Sequence, residues 1–252
     1  MRRLLPGCLA LAFGLTLWQV VVWATDVPHF ILPGPMRVAA AMGNNAALLA
    51  AQAGVTLANL TMGLGAGIAL GVASALNLAM SPAARLLLRP LMVFAQAVPV
   101  FALAPIVTLW LGYGAPSKVV MVALVTYFPV TSAFFDGLMR LPPDLDDLAR
   151  QMQARPLRRL MLLQLPNALP ALGSGLRLAA VQAPFAVIIA EWVGASKGLG
   201  HLMLLSNGRA QTDLMFAALF VLATISLCLF LAADRLAQHW DSRGAQQADI
   251  DR

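Results

Sequence analysis

Long apolar runs most strongly limit what this chain can fold into. Of its 252 residues, 60% are hydrophobic and only 11% are charged, a balance that hardly suits a surface facing water. A helix needs about 20 mostly apolar residues to cross a bilayer. Because such runs recur along the chain, we expect an all-α membrane protein with six transmembrane helices. They are expected at about residues 4–25, 53–80, 86–111, 118–139, 167–190 and 213–233.

The first run could also be a cleaved signal peptide, because it follows Arg2 and Arg3. Its apolar stretch is longer than the roughly 7 to 15 residues typical of such signals. We therefore expect it to be retained as a span. After it, prolines in the first outside loop favour an extended segment, and residues 36–50 are expected to form a short surface helix.

The distribution of lysine and arginine predicts the orientation, because these residues are retained on the cytoplasmic side. With the N-terminus inside, only Arg37, Lys118, Lys197 and Arg209 lie outside, and both termini are cytoplasmic. The net charge of +6 then needs no nucleic-acid partner, although anionic lipid could strengthen the asymmetry. The basic residues expected inside are Arg2, Arg3, Arg85, Arg89, Arg140, Arg150, Arg155, Arg158, Arg159, Arg177, Arg235, Arg243 and Arg252.

Glycine and proline mark special positions within the spans. Gly63, Gly67 and Gly71 share one helical face, where small residues let helices approach closely in lipid. Proline removes a backbone hydrogen bond, and a freed carbonyl at membrane depth must face protein or a water-filled cavity. Interrupted helices are common in transport paths, and prolines are also frequent in purely structural spans.

Polar side chains inside apolar spans are costly unless they face other helices or water. They are candidates for a translocation path, with hydrogen bonding between helices as the structural alternative. Glu191 could pair with Lys197 or with water. We expect its role to be structural first, with a role in gating second. The candidate path residues are Gln96, Pro99, Thr126, Tyr127, Thr131, Gln182 and Glu191.

The segment 141–166 concentrates charge within this apolar chain. Pro142 and Pro143 end the fourth span, and aspartates follow in the first turn of a new helix, where they suit the helix dipole. Pro156 is expected to begin a second short helix. The segment thus predicts an amphipathic cytoplasmic hairpin, lying on anionic headgroups or entering a groove of a soluble partner. Its apolar stripe comprises Leu145, Leu148, Met152, Leu157, Leu160 and Met161, opposite Arg155, Arg158 and Arg159.

The same segment resembles the cytoplasmic loop of binding-protein-dependent ABC importer permeases, whose pattern is E-A-A-x3-G-x9-I-x-L-P. The pattern aligns without a gap from Asp147 to Pro166, but Gln153 replaces the glycine, and Pro156 could supply the bend instead. Similar blocks are "ILPGP", "QAVPVFALAPIVTLWLGYG", "FPV" and "AEWVGASKGLGHLM". The resemblance covers about residues 30–240, with its core at 53–235. It implies coupling to an ATPase through Asp147, Leu148, Ala149, Gln153, Ala154, Arg155, Leu163, Leu165 and Pro166.

The resemblance implies a type I ABC importer-like fold, with one permease domain over residues 1–252 and a coupling helix between the fourth and fifth spans. Such a permease resides in the bacterial inner membrane. Its expected partners are two ATPase subunits, a second permease copy in a homodimer, and an extracytoplasmic solute-binding protein. No cofactor is expected on this chain; ATP-Mg would bind the partner ATPase, since the sequence has no G-x-x-x-x-G-K-[ST] loop.

The solute is less constrained by the sequence. The spans offer mostly neutral polar groups, which favours a small, near-neutral molecule, and residues 191–223 resemble permeases for hydroxymethylpyrimidine and related thiamine precursors. Sulfonates, taurine and nitrate remain alternatives. A secondary transporter would need no ATPase. An intramembrane enzyme is disfavoured, because the sequence contains neither H-E-x-x-H nor G-x-S-x-G.

Overall fold

The computed structural model describes the backbone of residues 4–250, and the side chains of that range except 4–8, 11, 88, 93, 95–97, 100, 150 and 241–250. The described backbone is helical and contains no strand. In chain order the helices are α1 Leu4–Thr25, α2 Pro35–Asn44, α3 Ala46–Met80, α4 Pro82–Ala97, α5 Val100–Leu111, α6 Ala115–Met139, α7 Pro143–Gln151, α8 Pro156–Arg159, the π-helical turn Leu160–Gln164, α9 Leu165–Gly194, α10 Leu199–Gly208 and α11 Thr212–Ile250.

Four stretches of helix within the described residues are long and apolar enough to cross a bilayer. They correspond to the second, fourth, fifth and sixth predicted spans. Two shorter apolar stretches, Ala12–Thr25 of α1 and Phe101–Leu111 of α5, fall within the first and third predicted spans. The four long stretches are Ala46–Met80, Ala115–Met139, Pro156–Gly194 and Thr212–Trp240.

Two predicted helices have different boundaries in the structure. The third span is not one helix over 86–111: α4 ends at Ala97 and α5 begins at Val100. Val98 is extended, as the residue before a proline prefers, and Pro99 cannot donate a helical hydrogen bond. The surface helix expected at 36–50 ends at Asn44, and α3 begins at Ala46. At the break, the Asn45 side chain donates to the Ala41 carbonyl.

The chain forms two compact units. Unit 1 comprises Met1–Thr56 and Ser196–Thr224, and unit 2 comprises Leu57–Ala195 and Ile225–Arg252. In unit 1, the Leu199 N–H donates to Thr56 Oγ1 at 2.8 Å, and Thr212 Oγ1 donates to the Phe30 carbonyl at 2.6 Å. These bonds tie the start of α10 to α3, and the start of α11 to the α1–α2 connection.

In unit 2, α6 packs along α9 over most of its length. Small residues allow the close approach: a Cβ on Gly175 would lie 2.9 Å from the Pro129 carbonyl oxygen, and one on Gly137 would lie 2.6 Å from Ala171 Cβ. Val130, Phe134 and other buried apolar residues fill the main core between these helices. The pair α6 and α9 therefore forms the centre of this unit.

The glycine face of α3 also packs against α6, which confirms the close-packing interpretation. A Cβ on Gly63 would lie 2.5 Å from Val122 Cβ and 2.8 Å from the Val119 carbonyl oxygen. Gly67 and Gly71 meet Thr126 and Val130 in the same way. Packing of this kind, rather than hydrophobic burial, drives helix association in lipid.

The turn after α7 is formed at Gln153. This residue has φ +48°, the left-handed conformation that glycine adopts at a helix C-terminus. The Ala154 N–H donates to the Ala149 carbonyl at 2.9 Å, the bond from C″ to C3 that defines a Schellman motif. The turn typical of glycine is thus retained with a glutamine in its place, and the expectation that Pro156 supplies the bend is wrong.

Pro156 instead begins the helix that becomes the fifth span. A second helix begins at Pro156 as predicted, but it is not a separate short element, because helix continues from α8 through a π-helical turn to Gly194. In that turn the Leu165 N–H donates to the Leu160 carbonyl, five residues back. Pro166 follows directly and has no backbone N–H to donate. The backbone hydrogen bonds therefore change from the i→i−4 to the i→i−5 pattern at a position where proline would remove one helical bond in any case.

We predict opposite effects for two alanine substitutions on α3. Gly63→Ala should destabilise the protein by about 1 to 3 kcal/mol, because the new methyl group overpacks the contact with α6. Gly65→Ala is the matched control: Gly65 is exposed with no atom within 4 Å of a built Cβ, so better helix propensity should stabilise by up to about 1 kcal/mol. Unfolding midpoints in detergent measure both, and equal shifts of the same sign would contradict the packing.

We also predict that Gln153→Gly stabilises the turn. A residue with a Cβ pays about 1 kcal/mol for the left-handed conformation, which glycine avoids. Gln153→Ala keeps that cost and should leave the unfolding midpoint unchanged. If glycine gave no gain over alanine at this position, the left-handed turn would not exist in the folded protein.

Candidate functional site

The segment 141–166 presents an apolar surface outward. Leu148 is 49% exposed and Met152 72% exposed, although both are large apolar side chains. Acidic residues Asp144 and Asp147 are exposed on the same helix, α7. We call the exposed apolar side chains of this segment the docking surface; they are Leu148, Met152, Leu157, Met161 and Leu162.

Other residues of the segment face the protein and anchor it. Ala149 is buried on α7, and Leu165 packs against the main core of unit 2. Leu160 was expected on the outward stripe, but it belongs to that core and is almost fully buried. It follows Arg159 directly, at the start of the π-helical turn, where the helix meets the core.

The predicted coupling residues therefore divide into two groups. Asp147, Leu148, Gln153, Arg155 and Pro166 are exposed. The inward or half-buried residues are Ala149, Ala154, Leu163 and Leu165.

An ion pair joins the two arms of the segment. Arg159, at the end of α8, pairs with Asp146 on α7, and both side chains are partly buried. This pair holds α7 against the base of the continuous helix Pro156–Gly194. The docking surface is thus attached to the same continuous helix as α9.

The candidate path residues on α6 lie among packed helices. Thr126 and Thr131 are fully buried, and each hydroxyl donates to a carbonyl of its own helix, at Val122 and Tyr127. The Tyr127 side chain is half-buried against the main core. Hydrogen bonding within the helix therefore satisfies both hydroxyls.

The remaining path candidates are spread over other elements. Pro99 lies exposed at the break between α4 and α5, and Gln182 is half-buried on α9. Gln96 lies on α4, but its side chain is outside the described ones. The role of these residues in a path stays a prediction.

Glu191 has a charged neighbour that the sequence analysis missed. It is 0% exposed and interacts electrostatically with Lys118, which is 2% exposed. Lys118 Nζ also donates to the Tyr113 carbonyl at 2.9 Å and to the Gly194 carbonyl. Lys197 is exposed. Glu191 was expected to pair with Lys197 or with water, but its charged neighbour in the structure is Lys118.

A signal for Lys118 was present in the sequence. A lysine in the first turn of a helix opposes the helix dipole and needs a compensating partner. Here the partners are carbonyls before α6 and at the end of α9, together with the Glu191 carboxylate. The cluster ties the start of α6 to the end of α9. Among the described residues, no group of three or more His, Cys, Asp or Glu side chains could hold a metal ion.

Relatives of this chain are transport proteins. It is 46% identical to a protein of Haemophilus influenzae named "Probable ABC transporter permease protein", over 93% of this chain and 96% of the relative. It is 30% identical to a formylaminopyrimidine transport permease of Halalkalibacterium halodurans, over 88% and 89%. It is 34% identical to a riboflavin transport system permease of Chloroflexus aurantiacus, over 90% and 87%.

A solved structure has the same fold. One chain of an amino acid ABC transporter crystallised with histidines superimposes with a TM-score of 0.64, covering 80% of this chain and 96% of that one. The sequence identity is 15%, so this likeness concerns the fold alone.

A family profile matches the larger part of the chain. Residues 67–243 match the binding-protein-dependent transport system inner membrane component. The match includes the docking surface and the continuous helix Pro156–Gly194. The chain therefore belongs to this family, the permease subunits of ABC import systems.

Proposed function

We propose that this permease couples solute import to a separate ATPase through segment 141–166. The observation that carries the proposal is the docking surface, which is apolar, exposed and attached to the fifth span. Leu148 and Met152 lie outside the four stretches that could cross a bilayer, and large apolar side chains that stay exposed outside the membrane are typical of a protein-binding surface. An amphipathic helix that fits a groove of a partner uses such a surface.

Charge favours a protein partner over anionic lipid. Asp144 and Asp147 are exposed beside Leu148, and their carboxylates would be repelled by negatively charged headgroups. Arg155 and Arg158 are exposed in the same segment, so both signs of charge border its apolar face, whereas a helix bound to anionic lipid typically carries basic residues alone there. The mixed charge around the docking surface suits a groove with complementary charges, which would fix the register of binding.

The attachment of the docking surface explains how force would reach the spans. The arm Pro156–Gly194 is one continuous helix, and the pair Asp146–Arg159 holds α7 against its base. A displacement of the docking surface therefore moves α9, and with it the packed helix α6. ATP binding to the partner would bias this assembly between two states, with the solute entering in one and leaving in the other.

The complete importer that we propose contains the other expected partners as well. An extracytoplasmic binding protein delivers the solute, two ATPases bind the cytoplasmic loops, and a second copy of this chain completes the pathway. ATP and Mg²⁺ bind to the ATPases, and both termini of this chain lie in the cytoplasm of the bacterium.

For the solute, we propose a small, near-neutral thiamine-precursor pyrimidine. The similarity to a formylaminopyrimidine permease over nearly the whole chain supports this choice. The neutral polar groups Gln182 and Tyr127, half-buried in unit 2, are consistent with a solute that carries no strong charge.

We predict that Leu148→Asp uncouples transport. A charge placed at the centre of an apolar contact costs about 2 kcal/mol or more, so retention of the ATPase on the tagged permease should fall about tenfold or more. Ala83→Asp is the matched control: Ala83 is exposed in the first turn of α4, expected on the same side of the membrane, where an acid suits the helix. Normal copurification and normal uptake by Leu148→Asp would overturn the docking assignment.

For the solute, we predict that deleting this subunit abolishes uptake of labelled hydroxymethylpyrimidine and leaves taurine uptake unchanged. The wild-type gene should restore precursor uptake, whereas the Leu148→Asp variant should not. Equal precursor uptake with and without the subunit would reject this solute while leaving the coupling proposal intact.

A further inference from the structure

Unit 1 contains an open cleft that the transport proposal does not use. Its volume is about 930 Å³, near the upper end of the range of about 300 to 1,000 Å³ typical of small-ligand pockets. The α1–α2 connection, α2, the start of α3, α10 and the start of α11 form its walls. All of these segments belong to unit 1.

Several hydrogen-bond donors line the cleft, beside one buried carboxylate oxygen without a hydrogen-bond partner, Asp213 Oδ1. The Gln52 side-chain oxygen already accepts from the Gly198 N–H at 2.6 Å, so its amide group is left as a donor. Arg37 Nε donates to Asp213 Oδ2 at 3.3 Å, which balances the charge of that carboxylate and leaves the terminal guanidinium nitrogens of Arg37. A ligand that supplies acceptor oxygens would complement this surface.

Arg209 adds a positive charge without a partner. It lies on the cleft, is exposed, and its side chain makes no hydrogen bond or ion pair with the described residues. Arg209 lies at the end of α10, where the helix dipole favours a positive charge. This accounts for a basic residue here but gives the guanidinium N–H groups no hydrogen-bond acceptor. His29 and His201 also line the cleft and add further nitrogen groups.

Ser206 supplies an independent observation. This residue lines the cleft, is 1% exposed, and its hydroxyl has no hydrogen-bond partner among the described groups. A buried hydroxyl without a partner costs about 1 to 3 kcal/mol. Ser206 lies three residues before Arg209, the C-cap residue of α10, and residues at that spacing lie on the same side of a helix, so both can contact one oxygen group of a ligand.

We infer that this cleft binds a small molecule bearing an anionic oxygen group, namely a carboxylate, sulfonate or phosphate. Arg209 supplies the charge, while Ser206 and the Gln52 amide supply directed donors. The near-neutral solute proposed for transport has no such group, so the ligand of this cleft is a different molecule. The ligand comes either from solution or from a lipid headgroup.

The test uses the full chain purified in a maltoside detergent, which contains no anion. Ethanesulfonate is titrated and its saturable binding is followed by ligand-observed NMR. Arg209→Gln should weaken binding about tenfold or more, because a charge-assisted hydrogen bond is lost. Lys197→Gln is the matched control, since Lys197 is exposed in the same unit but does not line the cleft; its affinity should equal that of the wild type.

Ser206→Ala separates ligand binding from a purely structural role. Without ligand, its unfolding midpoint should be unchanged or higher, because an unpaired hydroxyl has been removed. Its affinity for ethanesulfonate should nevertheless fall. A lower midpoint without ligand would show that Ser206 serves the fold, and this would overturn its part in the site.

Two further arms identify the source of the ligand. If phosphatidylglycerol displaces ethanesulfonate and glycerol 3-phosphate does not, the cleft binds a lipid headgroup. If glycerol 3-phosphate displaces ethanesulfonate, the cleft binds a soluble molecule. Absence of saturable binding to the wild type, or equal losses in Arg209→Gln and Lys197→Gln, would overturn the inference. Because no ATPase is present, failure here leaves the coupling proposal untouched.

Discussion

The close packing of α6 against α9 is the interaction on which the rest of unit 2 depends. Lipid tails are as apolar as leucine, so these helices gain little by leaving lipid and must associate through contact at short range. Gly175 and Gly137 provide that contact, because a side chain at either position would collide with the facing helix. Segment 141–166 joins these two helices, and therefore a closely packed pair of helices carries the docking surface.

Hydrophobic run length and spacing were sufficient to predict much of this fold. The second, fourth, fifth and sixth spans follow from apolar runs, and the glycine face of α3 follows from its four-residue spacing. The break at Pro99 was harder to place, because proline either kinks a helix or ends it, and surrounding contacts decide which. The continuous helix from Pro156 was missed since proline marks a helix start without showing where the helix ends.

Long-range contacts account for the other differences. Counting charges placed Lys118 on the outer side of the membrane but gave it no partner; its partners include the Gly194 carbonyl and Glu191, more than seventy positions away in sequence. Leu160 has the spacing of the outward stripe, yet the junction of α8 with the core buries it. The motif from Asp147 to Pro166 located the segment, while the division into anchoring and exposed side chains required the structure.

The central claim is that the docking surface receives force from an ATPase and passes it to α9. A photoreactive amino acid at Met152, in the assembled transporter in native membranes, tests this most directly. The account predicts that it captures the ATPase, whereas the same group at Leu178, exposed on α9 within the fifth span, does not. Capture of lipid alone from Met152, or of a protein from the opposite face of the membrane, would contradict the claim.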